Sequence, residues 1–111
     1  MKKTVWTVNL TPDAERDSAS ILRWTWREFG RQQAQTYRIT LRKALEALES
    51  GPNTIGVKKR DDIVPGILSL HVARDGRKGR HFILFRIAEP HTIDVLRLLH
   101  DSMDFAAHLG E

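Results

Sequence analysis

The chain has 111 residues, no cysteine and a formal net charge of +4. A chain of that length buries roughly 60–70% of its unfolded surface in one core, and without cysteine it has neither a disulfide framework nor a thiolate zinc site. No run approaches the ~18 consecutive apolar residues of a membrane span, and "MKKTVWTVNLTPDAERD" lacks a secretory apolar core, so a soluble, cytoplasmic protein with one domain over residues 1–111 is expected.

"VWTVNLT" alternates apolar and polar residues and reads as a first strand. Thr11 then offers an N-cap hydroxyl, Pro12 suits the first helical position, and Asp13 and Glu15 place negative charge in the first turn. A helix is expected from Pro12 to Phe29, with Ala14, Ile21, Leu22 and Phe29 near one stripe. Gly30 supplies the left-handed conformation that ends it. Ala34, Tyr37, Leu41, Ala44, Leu45 and Leu48 keep the spacing of a second amphipathic helix. A one-residue link can only fold the two helices back on each other, so residues 12–50 form a helical hairpin.

"GPNTIGVKKRDDIVPG" has no periodicity and is rich in Pro and Gly, so it reads as a loop. "ILSLHVAR", "RHFILFRIA" and "TIDVLRLLH" are separated by short, turn-bearing gaps, which demand antiparallel strands over residues 67–99. Residues 100–111 form a closing segment. The order β-α-α-β-β-β gives an α+β fold, a helical hairpin packed on a small, mainly antiparallel sheet.

From Lys58 to Arg86 the chain carries Lys58, Lys59, Arg60, Arg74, Arg77, Lys78, Arg80 and Arg86 against Asp61, Asp62 and Asp75. That local excess exceeds the net charge of the whole chain and should attract an anion. No histidine pair has the helical i, i+4 spacing of a zinc ligand set, His71 and His81 meet only if the hairpin register aligns them, and no metal or cofactor is expected. The serines lack a nucleophile-elbow context, and the glycines of "DGRKGR" make a hairpin turn. A metal-independent ribonuclease needs a base, an acid and cations, which His81, Arg80, Arg86, Lys58 and Lys59 could supply. The plainer alternative is a solvated sheet face. Trp24 and Trp26 diverge by roughly 200° on a helix, so both cannot face the core and one should lie at a surface as an interface anchor.

The helical hairpin, the "VPG" ahead of the second strand, "GRHFILFR" and the terminal "IDVLRLLHDSMDFAAHL" resemble the RelE/ParE toxin superfamily, in its ParE-like branch. The resemblance implies a toxin of a type II toxin-antitoxin pair, held in a hetero-complex by a ParD-like antitoxin, for which Trp24 and Trp26 are the expected contacts. ParE-like members poison DNA gyrase by binding, with no catalytic residue expected; Arg74, Arg77, Arg80, His81 and Arg86 would then meet the target. RelE-like members instead cut mRNA on the ribosome and usually carry a tyrosine near the chain end. Here Tyr37 is the chain's single tyrosine and lies in the helical hairpin, which favours the ParE-like reading. A third alternative is an inert antitoxin-binding module, because Ile67 stands where an arginine often follows the Pro-Gly. His100 and His108 are expected as packing residues of a closing turn that Asp104 caps, with Met103, Phe105 and Leu109 covering a core edge.

Overall fold

The structure, a computed structural model, describes residues 4–109; Lys2 and Lys3 of the amino terminus and residues 110 and 111 of the closing segment lie outside the described residues. Strand β1 (Thr7–Leu10) leads into helix α1 (Pro12–Phe29), α2 (Arg31–Ala47) and a 3-10 turn at Leu48–Ser50. Strands β2 (Lys58–Lys59), β3 (Leu68–His71), β4 (His81–Ala88) and β5 (Thr92–His100) follow, and a short α3 (Phe105–Leu109) closes the chain.

The helix boundaries follow from local chemistry. Thr11 Oγ1 accepts the Ala14 N–H at 3.1 Å and so satisfies one of the donors that the first turn leaves open. Gly30, at φ 93°, turns the chain, and its own N–H bonds the Trp26 carbonyl at 2.9 Å. Leaving that conformation to a residue with a Cβ would be strained, which is why the hairpin turns there.

The sheet has five strands in the order β1-β5-β4-β3-β2, one more than the sequence pattern suggests. The extra strand, Lys58–Lys59, pairs with Leu68 and Ser69 inside the stretch read as a loop. Two residues are too short to show periodicity, so composition concealed it. β1 runs parallel to β5, whereas the other pairs are antiparallel.

The sheet has a core on each face. Ile83, Phe85, Ile93 and Val95 pack with Ala14, Leu41, Ala44 and Leu48 beneath the helical hairpin. On the opposite face Ile67, Leu84 and Leu99 pack with Phe105 of α3. Ile67 is therefore a buried core residue rather than a vacant target contact. A β-bulge opposite Leu84 and Phe85 leaves Leu96 as the extra residue of β5. Beside it, Arg97 forms a two-pronged ion pair with Asp17 of α1, at 2.7 and 2.9 Å, and Asp17 also accepts the Leu98 N–H. These bonds fix α1 to the sheet.

Two expectations about the apolar faces need correction. Phe29, placed in the stripe of α1, is 63% exposed and meets the Trp24 ring edge-on instead of the core. Met103, expected to cover a core edge, is largely exposed, while Phe105 is buried and Leu109 partly so. No capping bond from the Asp104 side chain is found among the described residues, although Asp104 directly precedes α3.

The second core depends on Phe105. Phe105→Ala should destabilise the protein by about 3 kcal/mol, and deletion from Asp104 onward by more. Chemical denaturation of both variants checks this, and an unchanged midpoint for Phe105→Ala would mean that α3 contributes no packing.

Candidate functional site

The polar cluster of the molecule gathers where the ends of β3, β4 and β5 meet α2. Tyr37, carried by α2, reaches the sheet: its Oη lies 2.7 Å from His81 Nδ1 and accepts the Arg80 N–H at 3.1 Å. In the β4 and β5 register His81 stands opposite His100, and their rings meet edge to face at 5.3 Å. Arg80 grips Asp101 through Nε and Nη2 at 3.0–3.1 Å. His71 adds a bond from Nε2 to the same carboxylate at 3.3 Å, while its Nδ1 accepts the Ala73 N–H. His100 Nδ1 accepts the Ser102 N–H at 3.1 Å and lies 2.7 Å from its hydroxyl.

These bonds set the protonation states. Burial, with the His100 ring adding to it, pushes the His81 pKa down to about 4, so the imidazole is neutral at pH 7. Tyr37 Oη accepts the Arg80 N–H, and the phenol O–H and the single N–H of the neutral imidazole share one further hydrogen bond whose direction follows the tautomer. Burial raises the Tyr37 pKa, so the phenol keeps its proton. The hydrogen bond from Arg80 holds the Asp101 carboxyl down to about 2. The cluster is neutral at its centre and charge-balanced at its rim.

The residues proposed from the sequence do not converge. Arg80 and His81 belong to this cluster, but Lys58 and Lys59 are exposed on the edge strand, level with Leu84 and Phe85 through β3. That puts them roughly 10 Å across the sheet from β4 and about as far along it from His81. Arg86 faces Asp94 across the strands at 3.9 Å, roughly 16 Å down β4 from His81. Arg74 pairs with Asp75 and donates to the Ile55 carbonyl. Arg77 reaches Thr40 Oγ1 at 3.3 Å. His71 does not face His81 directly, since its partner in register is Phe82. Among the described residues no three His, Asp or Glu side chains are disposed to hold a metal.

Two readings of the sequence change here. Tyr37, set aside as remote because it lies in the helical hairpin, is the residue that contacts His81. His100, expected to be packing, belongs to the polar cluster, whereas His108 is an exposed side chain whose carbonyl accepts from Arg97. The helical spacing of Tyr37 carries no hint of a partner 44 residues away.

A second candidate surface is a groove of about 870 Å³ between α1 and α2. Ala19, Leu22, Trp26, Ala34 and Ile39 supply its apolar lining, and Arg23, Arg27, Arg38 and Arg42 stand around it. Trp24 and Trp26 are both exposed, at 50% and 55%, where the spacing required a surface position for one of them. The inward residue is Thr25 between them, so each indole is offset by roughly 100° to one flank. Trp26 lines the groove, whereas Trp24 stacks edge-on against Phe29 at 5.6 Å.

Comparison with known proteins adds the family context. A family model described as the ParE toxin of the type II toxin-antitoxin system, parDE, matches residues 8–105. Toxin ParE1 of Mycobacterium tuberculosis is 32% identical over 100 residues, spanning 90% of this chain and 94% of the relative. Toxin ParE of Escherichia coli is 30% identical over 104 residues, spanning 92% and 91%. A solved structure of a chromosomal ParDE toxin-antitoxin system from P. aeruginosa superposes with a TM-score of 0.70 at 18% identity, over 87% of this chain and 97% of that one. The toxin-antitoxin complex RelBE2 of Mycobacterium tuberculosis gives 0.58 at 24% identity, over 89% and 94%. At those identities the superpositions speak for the fold.

The low His81 pKa has a consequence for stability. Unfolded, the imidazole takes up its proton as pH falls through 6.5; folded, it resists until about 4. Protons bound by the unfolded state alone favour unfolding, so stability should fall between pH 6.5 and 4. Asp101 adds a separate loss from its ordinary 3.8 down to about 2. Urea unfolding across pH 7.5 to 4 should show a smaller decline for His81→Gln than for the parent protein; equal slopes would mean that His81 titrates normally.

Proposed function

Since this chain belongs to the ParE family of toxins of type II toxin-antitoxin systems, we propose that it arrests growth in the cytoplasm by binding DNA gyrase, and that a ParD-like antitoxin neutralises it. The observation that carries the binding mechanism is the dispersal of the residues that RNA cleavage would need. His81 is neutral and already hydrogen-bonded, Arg80 is engaged by Asp101, Lys58 and Lys59 are level with the middle of β4 on the edge strand, and Arg86 lies roughly 16 Å down β4. Such an arrangement sets the cations that the sequence assigned to cleavage apart from the neutral His81 and its hydrogen-bonded partner. Arg74, Arg77, Arg80, His81 and Arg86 instead present charge and hydrogen-bonding edges to a target. Among the described residues no helix is long and apolar enough to cross a membrane.

The antitoxin is assigned to the helical hairpin. An apolar lining ringed by four arginines suits an amphipathic segment whose apolar stripe is flanked by acids. Such a segment, folding as it binds, would bury about 1,000–3,000 Å². Trp26 anchors it within the groove, and Trp24 with Phe29 extends the contact on the outer flank.

One observation favours a second reading. The Tyr37 hydroxyl on His81 is a hydrogen-bonded pair that an RNA-cleaving, RelE-like toxin could use, with the ribosome as its target.

Purified protein should inhibit gyrase supercoiling and leave ribosome-bound mRNA intact. His81→Gln should keep most of that inhibition, and the pair Arg77→Glu and Arg86→Glu should lose about tenfold or more through charge repulsion. If supercoiling is untouched and mRNA is cut in a manner that His81→Gln or Tyr37→Phe abolishes, the endonuclease reading replaces this one. Protein that still binds its antitoxin but shows neither activity would be an inert module.

For the antitoxin, Trp26→Ala should weaken binding by about 2 kcal/mol or more, with a smaller loss for Trp24→Ala. Calorimetry with the cognate antitoxin decides: unchanged affinity in both variants would remove the hairpin from the interface.

A further inference from the structure

Behind the Tyr37 contact lies a cleft of about 500 Å³ lined by residues with polar or charged side chains and by Gly76. One wall is a single face of α2, with Gln33, Thr36, Tyr37 and Thr40; the other is the β3–β4 turn, with Arg77, Lys78, Gly76 and Asp75, whose carboxylate pairs with Arg74. The turn is firmly built. Asp75 and Gly76 are both left-handed, at φ 53° and 78°, and the Arg77 N–H closes onto the Arg74 carbonyl at 3.0 Å. Gly79 then passes so close to the Tyr37 ring that an added Cβ would lie 3.0 Å from its hydroxyl and 2.6 Å from Val72 Cγ2. The cations of the turn are thereby held at a fixed distance from α2.

Their pairing distinguishes them. Arg74 is engaged by Asp75, which is itself well exposed, and Arg80 by Asp101. Among the described residues Arg77 and Lys78 have no carboxylate partner, and Arg77 is steadied by its bond to Thr40 Oγ1. Two unneutralised cations face an amide and hydroxyls across a recess within the roughly 300–1,000 Å³ range of small-ligand sites. A phosphate with attached sugar and base satisfies both walls: the phosphate at Arg77 and Lys78, the polar edges at Gln33 and Thr36. A recess of this kind takes one unit at a time, which a duplex holds inside its stack and a single strand can offer.

We propose that this cleft between α2 and the β3–β4 turn is a nucleotide site that takes one phosphate-sugar-base unit of a single-stranded nucleic acid, as in the opened segment of a target-bound DNA. The inference deepens the target assignment above. It is measured without gyrase or ribosome, however, so its failure and the failure of that assignment are separable.

The test is fluorescence anisotropy of a dye-labelled oligothymidylate strand with the full chain, across a salt series. The double variant Arg77→Ala/Lys78→Ala should weaken binding about tenfold or more and flatten the plot of log affinity against log salt by about 0.7, the value for one phosphate no longer neutralised on a single strand. Thr36→Glu, an exposed position that sends a carboxylate into the cleft, should weaken binding in the same direction. Lys43→Ala, equal in charge to Lys78→Ala but outside the cleft, should change affinity less than about twofold. Should the double variant fail to fold, Lys78→Ala alone at its exposed position carries the comparison. Equal losses for Lys43→Ala and Lys78→Ala would mean a diffuse electrostatic field and overturn the site. Thymidine monophosphate that binds the cleft while the strand does not would overturn the strand as its occupant.

Discussion

The arrangement of the polar end of this molecule hangs on one phenolic oxygen. Tyr37 Oη is the hydrogen-bonded link from the middle of α2 to the start of β4, and it serves two partners at once, a backbone N–H and an imidazole nitrogen. Burial raises the pKa of the ring further, so the phenol stays protonated and Oη keeps both contacts. The same packing excludes any side chain at position 79. Helix, turn and strand therefore have one arrangement rather than several, and the β3–β4 turn presents its cations from a fixed base.

Helix α2 divides the two candidate surfaces. At 100° per residue, Ala34, Gln35, Arg38, Ile39 and Arg42 share one side of it, and Gln33, Thr36, Tyr37 and Thr40 share the opposite side. The first set faces the groove toward α1; the second faces the β3–β4 turn. A segment lying in the groove would leave the cleft open, so neutralisation by that route would act on the hairpin face or through added bulk. The Asp17–Arg97 pair is what makes the hairpin face dependable, because it joins α1 to the bulged part of β5 in a mostly buried setting.

How much of this was legible in the sequence depends on the range of the interactions. Thr11-Pro12 and Gly30 act within a turn of themselves, and the helix limits they imply are the observed ones. The strand over Thr92–His100 is long enough for its composition to speak. The parallel pairing of β1 with β5 leaves no mark in local alternation, and β2 is too short to leave any. Among the candidate site residues, Arg80 and His81 were visible as an Arg-His pair beginning a strand. Tyr37, His100 and Asp101 became partners only through the register of β4 and the packing of α2. The divergence of the two indoles required a surface tryptophan, but that both lie outside follows from Thr25, the inward residue between them.

The basic stretch that first drew attention is also less basic in three dimensions than in one. Arg60, Arg74, Arg80 and Arg86 each stand within 4 Å of an aspartate, at Asp62, Asp75, Asp101 and Asp94. Of the remainder, Lys58 and Lys59 make up the edge strand. An exposed strand edge is a template for pairing with another chain, and lysines there discourage it, so a structural role accounts for that pair without a ligand. Arg77 and Lys78 have no such explanation. They are part of a tight turn rather than an edge, and the wall they face is polar. Charge that is neither neutralised within the fold nor needed to protect it is the charge most readily explained by an anion from outside.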